Sequence, residues 1–438
     1  MLVPHIMSGQ TVGVLGLGSS GMAAAASLDA AGVTIFAHDD NKPDTLLENG
    51  TVMAWQDWPW QDLDALVISP GIPHLHPAPH PAAARAAAAN IEILSEVEIA
   101  LRAVPQAPIV VITGTNGKST TTALVGHCLQ EAGKAVAVGG NIGRAACSLD
   151  DPGPDGVIVL ELSSYQLETT PALSSTIAVV LNITPDHLDR HAGMAGYVAA
   201  KTRALTALRA DGTAILGQSD DHVKQLANAC KDRGIRTLLA MPDQAPAGRK
   251  HCLALRGDHN AENAAAAGLV LHCLGLDRDQ IDHAMASFAG LPHRLQTVAT
   301  MGPISFVNDS KATNGTAAAK AIAAFSHIYW IAGGLAKEDG LDAVMPHIGN
   351  VEKAYLIGNS AAAFAKTLQG QCHADIYHNL HDATHAAFDD AKDNGNGGTI
   401  LLAPAAASFD QFDNFGARGD AFCQLARQLC SQKGEAYA

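Results

Sequence analysis

From Val110 to Thr122 the chain reads VVITGTNGKSTTT, an apolar run that ends in a glycine turn and then opens a helix. Those residue types suit a triphosphate. Gly114 and Gly117 let the backbone N–H groups of Thr115 and Asn116 approach phosphate oxygens, and the helix start adds partial positive charge. Lys118 supplies a mobile cation, and the Ser119 or Thr120 hydroxyl can reach Mg²⁺. The spacing departs from the general phosphate loop G-x-x-x-x-G-K-[ST], because Ile112 stands at the first glycine and only G-x-N-G-K-S-T is present. Gly-Lys-Ser alone would read equally as an ordinary capped helix. The strand before it and the second glycine argue for the phosphate cradle.

Other side chains could join this chemistry. Glu161 ends the apolar run Gly156–Glu161, at the strand edge where α/β proteins place ligands, although an exposed strand-end carboxylate is the plainer reading. His187 follows the run Ile177–Ile183, but a lone histidine is commonly structural and Mg²⁺ prefers oxygen. Lys201 sits in the helical stretch YVAAKTRAL, where a solvated lysine is the plain expectation. Asn260 and Asn263, three apart, share a helix face that suits adenine, with a helix cap the alternative for Asn260. Asp309, Lys311 and Thr313 crowd one short loop after a strand, as a turn or as part of a site. Gly16-Leu-Gly-Ser-Ser-Gly21 is a weak G-x-G-x-x-G whose usual meaning, with Asp39 on a ribose, is dinucleotide binding, so a dehydrogenase competes.

These residues need a scaffold of several cores. A chain of 438 residues exceeds the roughly 250 to 300 residues at which one core stops growing. Strand-length apolar runs alternate with Ala-rich helical stretches, which predicts α/β architecture with parallel sheets. The first β-α-β unit starts at Thr11–Leu15 and Val33–Asp40, a second at Pro108–Gly114, and a third follows the Gly290-Leu291-Pro292 break with strands at Ile304–Ser310, His327–Gly334, Lys353–Gly358 and Gly398–Pro404. Three domains result, at 1–96, 97–292 and 293–438, with the break read as a hinge that brings the last domain's residues to the nucleotide loop. The Ala-rich stretches Pro81–Asn90 and Ala261–Ala267 read as packed helices.

With 47% hydrophobic and 16% charged residues the chain can fold into such cores, and a formal charge of −15 argues against a general nucleic-acid or anionic-membrane surface. Anionic ligands must be captured locally. Eight cysteines without a CxxC pair suit reduced, packed thiols. The start MLVPHIMSGQ has no signal-peptide character and no segment reaches membrane-spanning length, so a cytoplasmic protein is expected.

TGTNGKST resembles the nucleotide loop of the Mur ligase and folylpolyglutamate synthase superfamily, and ELSSYQLETT, LNITPDHLDRH, YVAAK, GDHNAEN, GLPHR, NDSKATN and APAAASFDQFDNFGARG follow in that superfamily's order along nearly the whole chain. ELSSYQLE, LPHR and NDSKATN are similar to its D-glutamate-adding branch, whereas the DNPR signature of the diaminopimelate or lysine branch is absent. The resemblance implies an N-terminal Rossmann-like UDP-binding domain, a central P-loop-type ATPase domain and a C-terminal Rossmann-like domain that binds the amino acid. It implies an ATP-dependent monomer that joins D-glutamate to UDP-N-acetylmuramoyl-L-alanine through an acyl-phosphate. Such chemistry calls chiefly for charge neutralisation and alignment.

By the same resemblance Lys118, Glu161, His187, Lys201 and Lys311 are catalytic. Ser119, Glu161, His187 and a carbamylated Lys201 would hold two Mg²⁺ ions. Gly114 to Thr120, Asn260, Asn263, Arg294 and Asp309 would bind ATP, with His293 beside the phosphates or the intermediate. Gly18, Ser19, Ser20, Asp39, Ser69, Pro70, Gly71, Asn141, Ser163 and Gln166 would take the UDP-substrate. His187, Lys311, Thr313, Lys337, Ser408, Phe409 and Phe415 would form the D-glutamate pocket. The chain departs from the pattern at Ala403 and Ala406, where the superfamily usually has hydroxyl or thiol residues, and in a short segment 218–258. A ligase that adds L-glutamate or another amino acid, a folylpolyglutamate synthase, and a nucleotide-binding regulator are the remaining alternatives; the intact Lys118, Glu161 and Lys201 argue against the last.

Overall fold

A computed structural model describes residues 1–431 apart from 43–44, 219 and 337–339, without the side chains at 253 and 259. The chain divides into two compact units, Met1–Arg249 with Asp258–Ala286, and Lys250–Gly257 with Ser287–Ala438.

The first unit holds two sheets. One comprises β1 (Thr11–Leu15), β2 (Thr34–His38), β3 (Thr51–Val52), β4 (Ala65–Ile68) and β5 (Glu92–Leu94), all parallel in the order β3-β2-β1-β4-β5. Strand order reverses between β1 and β4, so the turns after those two strands flank the crevice where such sheets bind ligands. The other sheet comprises β6 (Ile109–Thr113), β7 (Val136–Gly140), β8 (Val157–Glu161), β9 (Ser175–Val180), β10 (Leu208–Gly217) and β11 (Arg236–Ala240), parallel in the order β11-β10-β9-β6-β8-β7. Continuous apolar sequence explains the centre of this sheet: β6 and β8 are buried at every position, as strands covered on both faces must be. Its register sets Ile112 beside Glu161 and Thr113 beside Val180, which brings the loops after β6, β8 and β9 to one edge.

The second unit carries β12 (Gln296–Met301), β13 (Ile304–Asn308), β14 (Ile328–Gly333), β15 (Leu335–Ala336), β16 (Val351–Ile357), β17 (Ala374–Ile376), β18 (Gly398–Leu402) and β19 (Ala406–Ala407). Six of them form a sheet in the order β12-β13-β18-β14-β16-β17, and β15 pairs with β19. The four strands expected here are present, three with slightly shorter ends and the one expected at Lys353–Gly358 shifted to Val351–Ile357. Four others escaped the sequence, and two of them, β15 and β19, have only two residues each. β12 is an antiparallel edge strand of mostly half-buried polar and apolar residues, and β17 has three residues, none fully buried, so neither carries a strong periodic signal. The Gly290–Pro292 break lies just inside this unit, with Gly290 at φ 85°.

Both Ala-rich stretches are helical, at Pro81–Ala88 and within Asp258–Cys273. All eight cysteines are free thiols and six are buried. Among the described residues no helix is long and apolar enough to cross a membrane.

Candidate functional site

β6 delivers its buried run into a turn in which Gly114 and Gly117 have φ of 153° and 83°, and the helix Lys118–Glu131 begins directly afterwards. Gly117 is obligatory here for two reasons. Its backbone is left-handed, and a Cβ on it would meet Asn263 Oδ1 at 2.1 Å. Asn263 is buried in the helix Asp258–Cys273 and donates to Asn260 Oδ1 at 3.1 Å, so the two asparagines do share a face, and that face lies against the phosphate loop. Asn260 is the third residue of its helix, not a cap.

Side chains from neighbouring loops hold the turn. Asn116 N–H donates to Asn182 Oδ1 at 2.8 Å and Asn182 returns a bond to the Asn116 carbonyl. The Thr115 hydroxyl donates to the Thr184 carbonyl at 3.1 Å and lies 3.0 Å from the Tyr197 hydroxyl. Lys118 Nζ folds back onto the carbonyls of Gly114 and Thr115, at 2.9 and 2.8 Å.

Glu161 is 1% exposed at the end of β8. Its Oε1 accepts from Asn141 Nδ2 at 2.7 Å, while Oε2 is buried with no hydrogen-bond partner. An orphaned carboxylate oxygen costs about 1 to 3 kcal/mol or more, a penalty that a cation would remove. It therefore fits Mg²⁺. No three His, Cys, Asp or Glu side chains among the described residues converge as a metal cluster. Glu161 would be a protein carboxylate of such a site, with phosphate oxygens and water as further oxygen ligands. His187 has φ 51° and a side chain 55% exposed, with Asp186 3.5 Å away.

Lys201 is 1% exposed, unlike a solvated helix lysine. Its Nζ donates to the Gly114 carbonyl at 2.8 Å and lies 4.7 Å from the centre of the Tyr197 ring. Burial, followed by the nearby Lys118 charge, pushes its pKa well below the ordinary lysine value, against weaker opposing pulls from Asp186 and Glu161.

On the first sheet Gly16 has φ 91°, and a Cβ there would meet Ser69 Oγ at 2.7 Å; Ser69 in turn donates to the Gly16 carbonyl. The Gly16–Gly21 and Ser69–Gly71 turns are thus locked together beside the strand-order reversal. Gly18 caps the helix Ser19–Ala30, which carries Ser19 and Ser20 in its first turn. Burial tends to raise the Asp39 carboxyl, but N–H groups of Leu17, Asn41 and Lys42 hold it below the usual carboxylate range. Ser163 and Gln166 form a reciprocal capping box at the start of the helix Ser164–Glu168.

In the second unit Asp309 follows β13 and accepts from the Leu295 N–H at 3.1 Å; burial raises its carboxyl to about 7. His293, at φ 62°, meets Asn308 Nδ2 at 3.0 Å. Arg294 precedes Leu295 in the same segment. Lys311 Nζ sits 3.9 Å above the Phe415 ring, so two of the expected amino-acid residues are in contact. Thr313 is half-buried in the same loop, Ser408 Oγ is buried with no hydrogen-bond partner, and Phe409 is 70% exposed. Lys337 lies outside the described residues.

Several organising residues were not assigned from sequence, although most stand inside motifs that were. Tyr197, Asn182 and Thr184 hold the phosphate turn. Arg418, 1% exposed, donates to the carbonyls of Ser310 and Ala406 and to the Ser310 hydroxyl, tying together the loops that carry Lys311 and Ser408. Burial lowers its guanidinium to about 10.

Parallel sheets with a glycine phosphate loop at the carboxyl edge define a nucleotide-triphosphate-binding α/β protein. Residues 112–252 match the Mur ligase middle domain and residues 293–406 the Mur ligase glutamate ligase domain. The UDP-N-acetylmuramoylalanine–D-glutamate ligase of Paramagnetospirillum magneticum is 42% identical, with both chains covered completely; that of Nitrobacter hamburgensis is 41% identical over 96% of this chain and 97% of its own. The chain belongs to the Mur ligase family, in its D-glutamate ligase branch. Solved structures agree on the fold: MurC of Thermotoga maritima (TM-score 0.59, 14% identity, 96% of this chain and 99% of that one) and MurF of Acinetobacter baumannii (TM-score 0.56, 15% identity, 96% and 91%).

Proposed function

We propose that this chain is a cytoplasmic ATP-dependent ligase that joins D-glutamate to UDP-N-acetylmuramoyl-L-alanine during peptidoglycan precursor synthesis. The observation that carries the reading is the convergence of Lys118, Lys201 and the orphaned Glu161 oxygen at the carboxyl edge of the central sheet, beside a glycine turn packed on Asn263. The activity for which the relatives are named supports the choice of substrates.

A carboxylate is a poor electrophile. In the proposed reaction its oxygen attacks the γ-phosphorus of ATP, ADP leaves, the glutamate amine adds to the acyl-phosphate carbonyl, and phosphate departs. Lys118 and the backbone N–H groups of Gly114–Thr120 neutralise phosphate charge, with Ser119 at the helix start. Glu161, His187 and Lys201 as carbamate would hold the magnesium, which would supply charge neutralisation when bound. A carbamate forms only on an unprotonated amine, which is what burial of Lys201 beside Lys118 favours. Asn260 and Asn263 face adenine, Asp309 the ribose, and Arg294 with His293 the phosphates. Gly18, Ser19, Ser20, Asp39, Ser69, Pro70, Gly71 and Asn141 receive the UDP-sugar, with Ser163 and Gln166 beside its alanyl end. Lys311, Thr313, Lys337, Ser408, Phe409 and Phe415 receive glutamate. Domains at 1–96, 97–292 and 293–438 divide these tasks.

ADP release with UDP-N-acetylmuramoyl-L-alanine, comparing D-glutamate with L-glutamate, tests the proposal. Release that depends on the D-enantiomer is expected; release equal for both, or none with D-glutamate, would overturn it.

A further inference from the structure

Arg190 has no role in the reaction as described, yet it reaches from the central sheet to the turn after β4. Its Nη1 donates to the Gly71 carbonyl at 3.1 Å and its Nη2 lies 3.5 Å from the Pro70 carbonyl. The guanidinium sits 4.5 Å above the Tyr165 ring. That ring is itself fixed, stacked on His191 at 5.3 Å and 9°, and His191 is buried between Glu168 Oε1 at 3.0 Å and Ser164 Oγ at 2.8 Å. A second strut runs beside the first, from His74 to Glu168 at 3.8 Å.

We propose that Arg190, supported by Tyr165, is a positioning residue that orients the Ser69–Gly71 turn for the diphosphate of the UDP-sugar; this rests on the reading of that turn as part of the UDP-sugar site. In a planar trans peptide the N–H points opposite to the C=O. The one cis bond among the described residues is His76–Pro77, so a guanidinium that draws the Pro70 carbonyl toward itself turns the Gly71 N–H the other way. On Gly71 the space is open: a Cβ there would meet nothing within 4 Å. Arg190 makes no ion pair among the described residues, so its charge is spent on the two carbonyls and the ring face. It also stands three residues after His187, whose ring is 5.4 Å from Tyr165. One aromatic stack therefore connects the turn that would hold the diphosphate with the edge where the carboxylate would react.

The test is steady-state kinetics on the full-length enzyme with UDP-N-acetylmuramoyl-L-alanine, D-glutamate and ATP, alongside melting temperatures. Arg190→Ala is expected to raise KM for the UDP-substrate about tenfold or more, the usual size for losing a charge-assisted bond, with KM for ATP within twofold of wild type. Arg190→Lys keeps the charge but loses the planar fork, so it should not rescue. Tyr165→Phe should be silent, whereas Tyr165→Leu should reproduce part of the defect and combine with Arg190→Ala less than additively. A folded Arg190→Ala enzyme with an unchanged KM for the UDP-substrate, or with both KM values raised alike, would overturn the proposal while leaving the site reading standing. Failure of the wild-type enzyme to bind UDP-N-acetylmuramoyl-L-alanine would remove the site reading and this proposal together.

Discussion

Lys118 and Lys201 donate to a single acceptor, the carbonyl oxygen of Gly114, at 2.9 and 2.8 Å. Burial is the larger cause that lowers the Lys201 pKa, and the neighbouring Lys118 charge adds to it. Both effects favour the neutral amine of Lys201, and a neutral amine is a nucleophile toward carbon dioxide.

Lys201→Ala should therefore cost at least about a hundredfold in ligation, and a short carboxylic acid should restore part of it by standing in for carbamate oxygens. Because the depressed amine is increasingly neutral as pH rises, carbamate labelling from ¹³C-bicarbonate should increase with pH in wild type and vanish in the variant. Absence of both label and rescue would return Lys201 to a purely structural role.

Lys118→Ala removes the loop's mobile cation without touching the first sheet. Ligation should fall by about a hundredfold or more, while UDP-substrate affinity, read by calorimetry, stays within about twofold. Near-normal turnover would show that the loop does not serve phosphoryl transfer.

Gly117→Ala places a methyl group where Asn263 Oδ1 already sits, at 2.1 Å, on a backbone with φ 83°. A stability loss of about 1 to 3 kcal/mol is expected together with loss of ATP binding. Adding Asn263→Ala should return part of the melting temperature but none of the nucleotide affinity, since that change removes the amide proposed to face adenine. A Gly117→Ala enzyme with wild-type melting and ATP affinity would contradict the packing described.

Glu96 offers a pH test away from the chemistry. Burial raises its carboxyl from 4.5 to about 7, against the opposing bond from the Cys147 N–H. Between those values the folded chain keeps a proton that the unfolded chain has lost, so stability contributed at this site falls as pH rises from about 4.5 to 7, by at most about 3 kcal/mol. Glu96→Gln should flatten that part of the stability profile of the first unit. An unchanged slope in chemical denaturation across the window would refute the assignment.

The strands that position the phosphate loop were legible because β6, β8 and β9 are continuous apolar runs bounded by glycine or polar residues. Gly114, Gly117 and Lys118 announced themselves by type and spacing. Burial of Lys201 was not legible, because a lysine after Ala-Ala reads as a solvated helix face until Tyr197 and the Gly114 carbonyl are brought against it. Arg190 and Arg418 were hidden for a related reason: each binds main-chain carbonyls, and a carbonyl leaves no mark in sequence. The first sheet's G-x-G-x-x-G predicted its turn correctly, while a glycine turn of this kind does not by itself choose among diphosphate ligands.

The first compact unit is not a continuous stretch of chain: the chain leaves it after Arg249, contributes Lys250–Gly257 to the second unit, and returns for Asp258–Ala286. Asn263, which covers Gly117, belongs to that returning segment. During synthesis, then, the nucleotide loop cannot acquire its covering wall until roughly the first two thirds of the chain has left the ribosome, although all the strands of its sheet have emerged by Ala240. A ribosome-bound intermediate stalled before Asp258 would display the helix Lys118–Glu131 uncovered on one side, a natural point for chaperone engagement. For the same reason a fragment ended at Arg249 would keep both parallel sheets of the first unit and yet lack the asparagine that packs on Gly117 of the nucleotide loop.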